Sequence, residues 1–105
     1  MDAQEITIRV VVFKDDDVWV AQCLEYDIGV QADDIDTLNA RLNAVLKAEL
    51  KESVERHKTP LTGIPKAPQR FHTMWEHRAR SLAITPMTPP VWLVDKAKVD
   101  YALVE

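Results

Sequence analysis

Residues 18–34 read VWVAQCLEYDIGVQADD, and this stretch decides the fold. In its first part, residues 18–24, Trp19, Ala21 and Cys23 alternate with side chains that face the other way. Alternation with a period of two is typical of a β-strand. A polar corner follows at 25–27, and residues 28–32 predict another short strand. The stretch therefore predicts two strands, and a new element of secondary structure begins directly after them at Asp33-Asp34.

The segment before this stretch predicts the partner strand. Ile6, Ile8, Val10 and Val12 alternate with Thr7, Arg9, Val11 and Phe13, and β-branched residues suit a pleated sheet. Asp15-Asp16-Asp17 separates this run from the next one, and aspartate favours turns because its side chain bonds nearby backbone groups. We expect a hairpin and, with residues 28–32, a three-stranded antiparallel sheet.

A long amphipathic helix is predicted after the third strand. Asp34 suits the N-cap, and Asp36 in the first turn complements the helix dipole. Apolar residues then recur at every fourth position, namely Leu38, Leu42, Leu46, Leu50 and Val54. This stripe predicts a helix of about twenty residues that packs across one face of the sheet.

The remaining residues predict a loop, a second helix and a strand. Residues 58–68 form a proline-rich loop by composition. Residues 69–82 predict a helix with Phe71, Met74, Trp75 and Leu82 on one broad face. Residues 99–104 alternate as a strand that either joins the sheet or pairs with a second copy. The whole is an α+β chain of one domain, with a core at 5–57, the loop, and a C-terminal part at 69–105.

Charge is divided unevenly along the 105 residues, whose net charge is −4. Residues 1–36 carry two basic and ten acidic residues, a formal charge of −8, whereas residues 37–105 carry +4. A strongly acidic N-terminal part argues against nucleic-acid binding there and favours a basic partner.

The single cysteine and the N-terminus indicate in which compartment the protein works. One cysteine allows no internal disulfide, which is typical of a protein in a reducing compartment. The acidic start, MDAQE, lacks the apolar segment of a signal peptide, and no run of 18 apolar residues exists. We expect a cytoplasmic protein.

Catalytic and cofactor motifs are few. Two glycines, Gly29 and Gly63, exclude a glycine-rich phosphate loop, so no cofactor is expected. His72 and Glu76 share a helix face, with His77 beside them, which suggests a small enzyme or a metal-binding protein as an alternative. A solvated helix face is the simpler interpretation, and we expect no metal. Cys23 and the acidic turn are better explained as a packed strand residue and as turn chemistry.

Nucleic-acid binding by residues 56–80 is a third hypothesis. This stretch holds six basic residues and one acidic residue, together with Phe71 and Trp75. Basic and aromatic side chains bind nucleic acids when the rings are exposed. Here the aromatic spacing is that of a helical core face, so we consider nucleic acid unlikely as a partner.

Residues 5–50 resemble the N-terminal domain of HicB-family antitoxins. The resemblance lies in the segment from Val18 to Asp34, an aromatic-Val-Ala strand with Cys23 and Glu25. Gln31-Ala32-Asp33-Asp34 stands where the family usually has Gln-Gly-Asp-Thr, and the amphipathic helix follows at once. The alanine replaces a turn glycine, and Asp34 replaces threonine as N-cap.

That resemblance implies a truncated ribonuclease H-like fold without the catalytic carboxylates. It implies a non-enzymatic, protein-binding module, either a toxin-neutralising antitoxin or a stand-alone relative of one. The partner would be a small basic HicA-like toxin. Residues 58–105 depart from the family, because they match neither of its usual DNA-binding modules. Glu25, Tyr26 and Asp27 are the candidate partner-binding residues, although a polar corner explains them equally well.

Self-association is the other expected interaction. A small domain with an open edge strand tends to cover that edge. The C-terminal strand or the second helix could do so across a two-fold axis, which predicts a homodimer.

Overall fold

A computed structural model describes residues 6–57, 64–77, 80–81, 87–90, 93 and 97–104. The strands and helices in chain order are β1 (Ile6–Asp15), β2 (Val18–Cys23), β3 (Gly29–Ala32), α1 (Ile35–His57), α2 (Gln69–Glu76), β4 (Arg80–Ser81) and β5 (Ala97–Leu103). Most of the predicted loop at 58–68 and Leu82, the last residue of the predicted second helix, lie outside the described residues. The α+β class predicted from the sequence is confirmed.

The sheet is larger than predicted and mixed. It has five strands in the order β3-β2-β1-β5-β4, of which β4 contributes two residues. β1 pairs antiparallel with β2, and β2 with β3, as expected. β5 lies parallel to β1, with Val10 opposite Tyr101. The three predicted antiparallel strands are therefore only part of the sheet, because the C-terminal strand takes the first of its two predicted alternatives and joins the sheet, parallel to β1.

α1 covers one face of this sheet. Leu38, Leu42 and Leu46 are buried against alternate residues of β1, including Ile8, Val10 and Val12. Asp34 caps the helix as predicted: its Oδ1 accepts a hydrogen bond from the Thr37 N–H at 2.7 Å. Val54 continues the apolar stripe in sequence, but its side chain lies outside the described residues. We call this side of the sheet the α1 face.

The opposite side, here the α2 face, is only partly covered. Val11 and Leu24 are buried there against Ala67 and Phe71. α2 ends at Glu76, earlier than the predicted residue 82, and lies over β1. None of the described residues beyond this short helix covers the part of the α2 face formed by β2 and β3 that lines the cavity beside Phe71 and Met74.

The chain entering α2 is tied to the corner after β2. Asp27 donates its N–H to the Pro65 carbonyl at 2.7 Å, and Ala67 donates to the Leu24 carbonyl at 3.0 Å. These two bonds satisfy backbone groups that the end of β2 would otherwise leave unpaired. They also fix α2 relative to the sheet.

Candidate functional site

Of the three predicted partner-binding residues, Glu25 is held by an internal contact. Its carboxylate accepts hydrogen bonds from the Arg9 backbone N–H at 2.7 Å and from Arg9 Nε at 2.6 Å. The Arg9 guanidinium also lies 5.6 Å from the centre of the Trp75 ring. Glu25 therefore ties the corner to Arg9 of β1, and Arg9 in turn contacts Trp75 of α2, which is the structural role that the sequence left open.

Tyr26 and Asp27 complete the corner. Tyr26 is half-buried and packs against the core of the α1 face, and burial, with the Glu25 charge second, raises the pKa of its phenol. Asp27 is exposed, and its Oδ1 accepts a hydrogen bond from Gln22 Nε2 at 3.0 Å. A contact of these residues with a partner stays a prediction.

Cys23 is a packed strand residue, as the sequence predicted. Its side chain has no exposed surface, and desolvation by burial, with the Glu25 charge second, raises the pKa of the thiol to about 12. A thiolate is the nucleophilic form of cysteine, and this environment disfavours it. Cys23 therefore contributes to packing rather than to covalent chemistry.

His72 in α2 and His77, which follows the helix, do not form a metal centre with the side chains that the structure describes. His72 Nε2 lies 3.2 Å from the Ala67 carbonyl oxygen, a contact within its own segment. Among the described residues, no group of three or more histidine, cysteine, aspartate or glutamate side chains could hold a metal ion.

The aromatic residues of the 56–80 stretch, Phe71 and Trp75, belong to the cluster packed on the α2 face. Phe71 is buried and packs 6.2 Å from Phe13, ring centre to ring centre. Trp75 is half-buried beneath Arg9. The helical core spacing predicted that both rings would face the sheet, and Phe71 is buried while Trp75 keeps part of its surface exposed.

A groove opens where α2 leaves the sheet uncovered, and we call it the β3 groove. Its volume is about 650 Å³. Phe13, Val20, Phe71 and Met74 provide much of its apolar wall. Asp15 and Arg70 are its charged lining residues. The remaining lining residues, Gln22, Gly29, Val30 and Gln31, come from β2 and β3.

Gln22 is the buried polar residue of this groove, with 7% of its surface exposed. Its Nε2 donates to the Cys23 carbonyl at 3.1 Å and to Asp27 Oδ1 at 3.0 Å. Both partners are acceptors, so the orientation of the amide is fixed. Oε1 lies over Gly29, where an added Cβ would collide with it, and it accepts no hydrogen bond from any described residue.

β3 forms the outer edge of the sheet beside this groove. Cys23 donates its N–H to the Ile28 carbonyl, so the pairing alternates and the backbone groups of Gly29 and Gln31 point outward. Arg41 Nη1 caps one of them, the Gln31 carbonyl, at 2.7 Å. Within the described part of the chain, the other outward groups have no β-strand beside them, because β3 is the last strand on that side of the sheet.

Sequence reasoning missed this groove. Its residues come from β1, β2, β3 and α2, and it exists because α2 is short. One local signal was available: Gln22 interrupts an otherwise apolar strand, and Gly29 stands in the next strand at the position that pairs with it.

Comparison with known proteins adds no family to this description. No protein-family model, curated protein or solved structure matches the chain. The resemblance to HicB-like domains thus rests on the sequence of residues 5–50. None of the described helices combines the length and the apolar character needed to cross a bilayer.

Proposed function

We propose that this chain is a non-enzymatic protein-binding module of the HicB-like type. The observation that carries the proposal is the open part of the α2 face, where a groove with apolar walls lies beside an edge strand. Apolar surface with a few convergent polar groups is what a binding site requires. The order of three antiparallel strands, a long helix and a further strand agrees with what the resemblance implies.

The chemistry of the described side chains favours binding over catalysis. The one thiol is buried and holds its proton. The His72 ring contacts the backbone of its own segment. A nucleophile or general base needs access to a substrate, and neither of these groups combines access with an activating neighbour.

Charge supports a basic protein as the partner. The hairpin turn places Asp15, Asp16 and Asp17 on the surface, all of them exposed. Opposite charges across an interface raise the association rate and select the partner. The candidate is a small basic protein, a HicA-like toxin if the chain is an antitoxin and another basic protein if it is a stand-alone relative.

Affinity purification of the tagged chain from its native host, followed by mass spectrometry, tests this function. We expect a small basic protein to be retained at low salt and to be lost as salt rises, because exposed charges are screened. The captured protein is then expressed alone and with this chain. Growth arrest that co-expression relieves supports the antitoxin form, whereas binding without growth arrest supports the stand-alone form.

Recovery of no basic protein at either salt concentration would contradict the proposal. A bound metal in the purified protein, or salt-sensitive binding of mixed RNA, would favour the small enzyme or the nucleic-acid adaptor instead.

Self-association stays a prediction, and the structure narrows how it could occur. β5 pairs with β1 along one edge, and on its other edge β4 covers only Ala102 and Leu103, so the outer edge of residues 97–101 is a further candidate among the described residues. The outer strands among the described residues are β3 and the two-residue β4. Sedimentation equilibrium at micromolar concentration distinguishes a dimer from a monomer.

A further inference from the structure

We propose that the β3 groove binds an extended segment of a partner protein, which pairs with the β3 edge and places a lysine or arginine against Gln22 Oε1. This inference rests on the proposed function, since it names the surface through which the module would hold a basic partner.

Gln22 supplies the first part of the argument. An acceptor that the protein itself leaves without a donor is satisfied by water or by a donor that a ligand brings. Gln22 is more than nine-tenths buried, and its amide nitrogen is fully used by Cys23 and Asp27. Among the described residues Oε1 accepts no hydrogen bond, and it is not enclosed by protein atoms, so it faces the groove, where water or an entering donor can reach it.

The chemistry of that donor follows from Asp27. The Asp27 carboxylate receives a hydrogen bond from Gln22 Nε2, and hydrogen bonds in a chain polarise one another. A carboxylate on the nitrogen side makes Oε1 a stronger acceptor and brings negative charge close by. A cationic donor, lysine or arginine, fits this acceptor better than a neutral one.

Gly29 gives the donor its path. Because Gly29 has no side chain, nothing in β3 stands between the edge of the sheet and Gln22 Oε1 at this position. Any larger residue would place its Cβ against that oxygen. A side chain from a strand added beside β3 can therefore reach across Gly29 to Gln22.

The β3 edge fixes the backbone of the incoming segment. The outward N–H and carbonyl of Gly29 and the outward N–H of Gln31 provide ladder hydrogen bonds for an added strand. Arg41 occupies the Gln31 carbonyl and so limits the pairing to the end of β3 near Gly29. Addition of a strand gives affinity through the backbone and specificity through alternate side chains.

Charge favours a foreign basic segment over a second copy of β3. Asp15 lines the groove, and Asp16 and Asp17 continue the acidic turn next to it. Arg70 stands on the other wall, 4.5 Å from the centre of the Phe71 ring. A second β3, with the sequence GVQA, would bring no cation to Gln22 or Asp15.

Titration of the full ¹⁵N-labelled chain with a defined probe tests the inference. The probe is the acetylated and amidated pentapeptide Val-Lys-Val-Lys-Val, and its controls carry methionine or glutamate in place of lysine. We expect saturable shifts of the Gly29 and Gln31 backbone signals and of the Gln22 side-chain NH₂ signals. The lysine peptide should bind at least tenfold more tightly than the glutamate peptide.

Three variants locate the contact. Gln22→Met keeps the side-chain volume but removes the acceptor, so the preference for lysine over methionine peptides should disappear. Gly29→Ala closes the path and should weaken binding of both peptides. Asp15→Asn should weaken the lysine peptide about threefold, whereas Glu55→Gln, the same charge change on the exposed surface of α1, should leave it unchanged. The spectrum of each variant reports whether it is folded.

The possible outcomes separate this inference from the proposed function. Absence of shifts at about 5 mM lysine peptide, or equal binding of the lysine and glutamate peptides, overturns the groove inference. So does a dimer that pairs through β3, seen as concentration-dependent shifts of Gly29 and Gln31 without peptide. A basic partner captured equally by the wild type and Asp15→Asn overturns the groove but leaves the proposed function intact. Peptide binding without any captured basic protein supports the groove inference but contradicts the proposed function.

Discussion

Cys23 shows how burial alone sets the chemistry of one residue. Its thiol has an ordinary pKa of 9.0, which the surrounding core raises to about 12. We predict that the native protein resists alkylation by iodoacetamide at pH 8 and reacts rapidly in urea, because only unfolding exposes the thiol. Mass spectrometry after a timed pulse of reagent measures the modified fraction. Rapid labelling under native conditions would contradict the burial.

The same shift predicts a loss of stability at alkaline pH. The folded state keeps the Cys23 proton up to about pH 12, whereas the unfolded chain releases it near pH 9. The free energy of unfolding should therefore be unaffected by this group below pH 9 and fall as the pH rises above it. Urea unfolding from pH 7 to 10.5 measures the slope. Cys23→Ala should reduce that slope without abolishing it, because burial also raises the pKa of Tyr26 and Tyr101.

Glu25 is the residue whose role could not be predicted from the sequence. We predict that Glu25→Ala lowers the free energy of unfolding by about 1–2 kcal/mol, because it leaves the Arg9 N–H without its acceptor. The Arg9 side chain is 37% exposed, so screening limits what the ion pair itself adds. Urea unfolding of two variants separates the hydrogen bond to the Arg9 N–H from the ion pair. Glu25→Ala removes both, whereas Glu25→Gln retains an acceptor oxygen but not the charge.

Equal stability of both variants and the wild type would mean that the corner does not depend on Glu25. Partner capture by Glu25→Gln is the complementary measurement. If partner binding falls while stability is unchanged, Glu25 acts as the contact residue that the sequence suggested rather than as a structural corner.

At the scale of single elements, the N-cap of α1 is the feature that the sequence predicted most directly. Thr37 donates both its N–H and its hydroxyl to the Asp34 carboxylate, and these bonds lower the pKa of Asp34 below its ordinary 3.8. We predict that Asp34→Ala lowers the melting temperature by a few degrees, on the order expected for a lost helix cap. Thermal unfolding followed by circular dichroism at pH 7 measures this effect.

The pH dependence of that cap follows from the direction of the shift. A carboxyl group with a depressed folded pKa stabilises the fold above its unfolded pKa, and the stabilisation is lost as the pH falls through the folded value. Below about pH 4 the wild type should therefore lose the contribution of Asp34. Asp34→Asn keeps an acceptor that does not titrate, so its melting temperature should fall less between pH 5 and pH 3. If the melting temperatures of the wild type and Asp34→Asn fell equally between pH 5 and pH 3, the pH dependence would not come from Asp34.

Elements defined by local patterns were predicted well, and those defined by distant contacts were not. The alternation of β1 and β2 and the stripe of α1 each report which face is buried, because side-chain direction repeats with a fixed period. The position of β5 depends on pairing with β1 across some ninety residues, for example Ile6 opposite Ala97. No periodicity contains that information, so the alternation of residues 99–104 predicted a strand but not its neighbour.

For the whole molecule, the same limit applies to the candidate site. The acidic character of the N-terminal part was visible in the sequence, and it predicted a basic partner. The β3 groove was not visible, because it depends on where the short α2 stops over the sheet. Phe13, Gln22, Gly29 and Phe71 are separated by up to 58 positions in the chain and meet only in the folded protein. Charge thus leads to a proposal for the kind of partner, whereas the proposed binding surface follows only from the fold.

The position of β5 leads to a prediction about the whole fold. The region that resembles HicB-like domains ends near residue 50, and residues 1–57 contain β1, β2, β3 and α1. We nevertheless predict that residues 1–57 alone do not fold cooperatively. β5 pairs with β1 over seven positions, and its Ala97, Tyr101 and Ala102 are 3%, 5% and 0% exposed. Removing β5 would uncover one edge of β1 and, with the loss of Met87 and Leu93, part of the α1 face.

Urea unfolding and ¹⁵N spectra of residues 1–57 and of the full chain test this dependence. We expect a sigmoidal transition and dispersed signals for the full chain, and a broad transition with poorly dispersed signals for the fragment. Ala102→Lys in the full chain is the matched single substitution. It forces a charge into a fully buried position of β5 and should lower the free energy of unfolding by several kcal/mol. A fragment that unfolds as sharply as the full chain would show that the three antiparallel strands and α1 are self-sufficient, with β5 only an addition at the edge of β1.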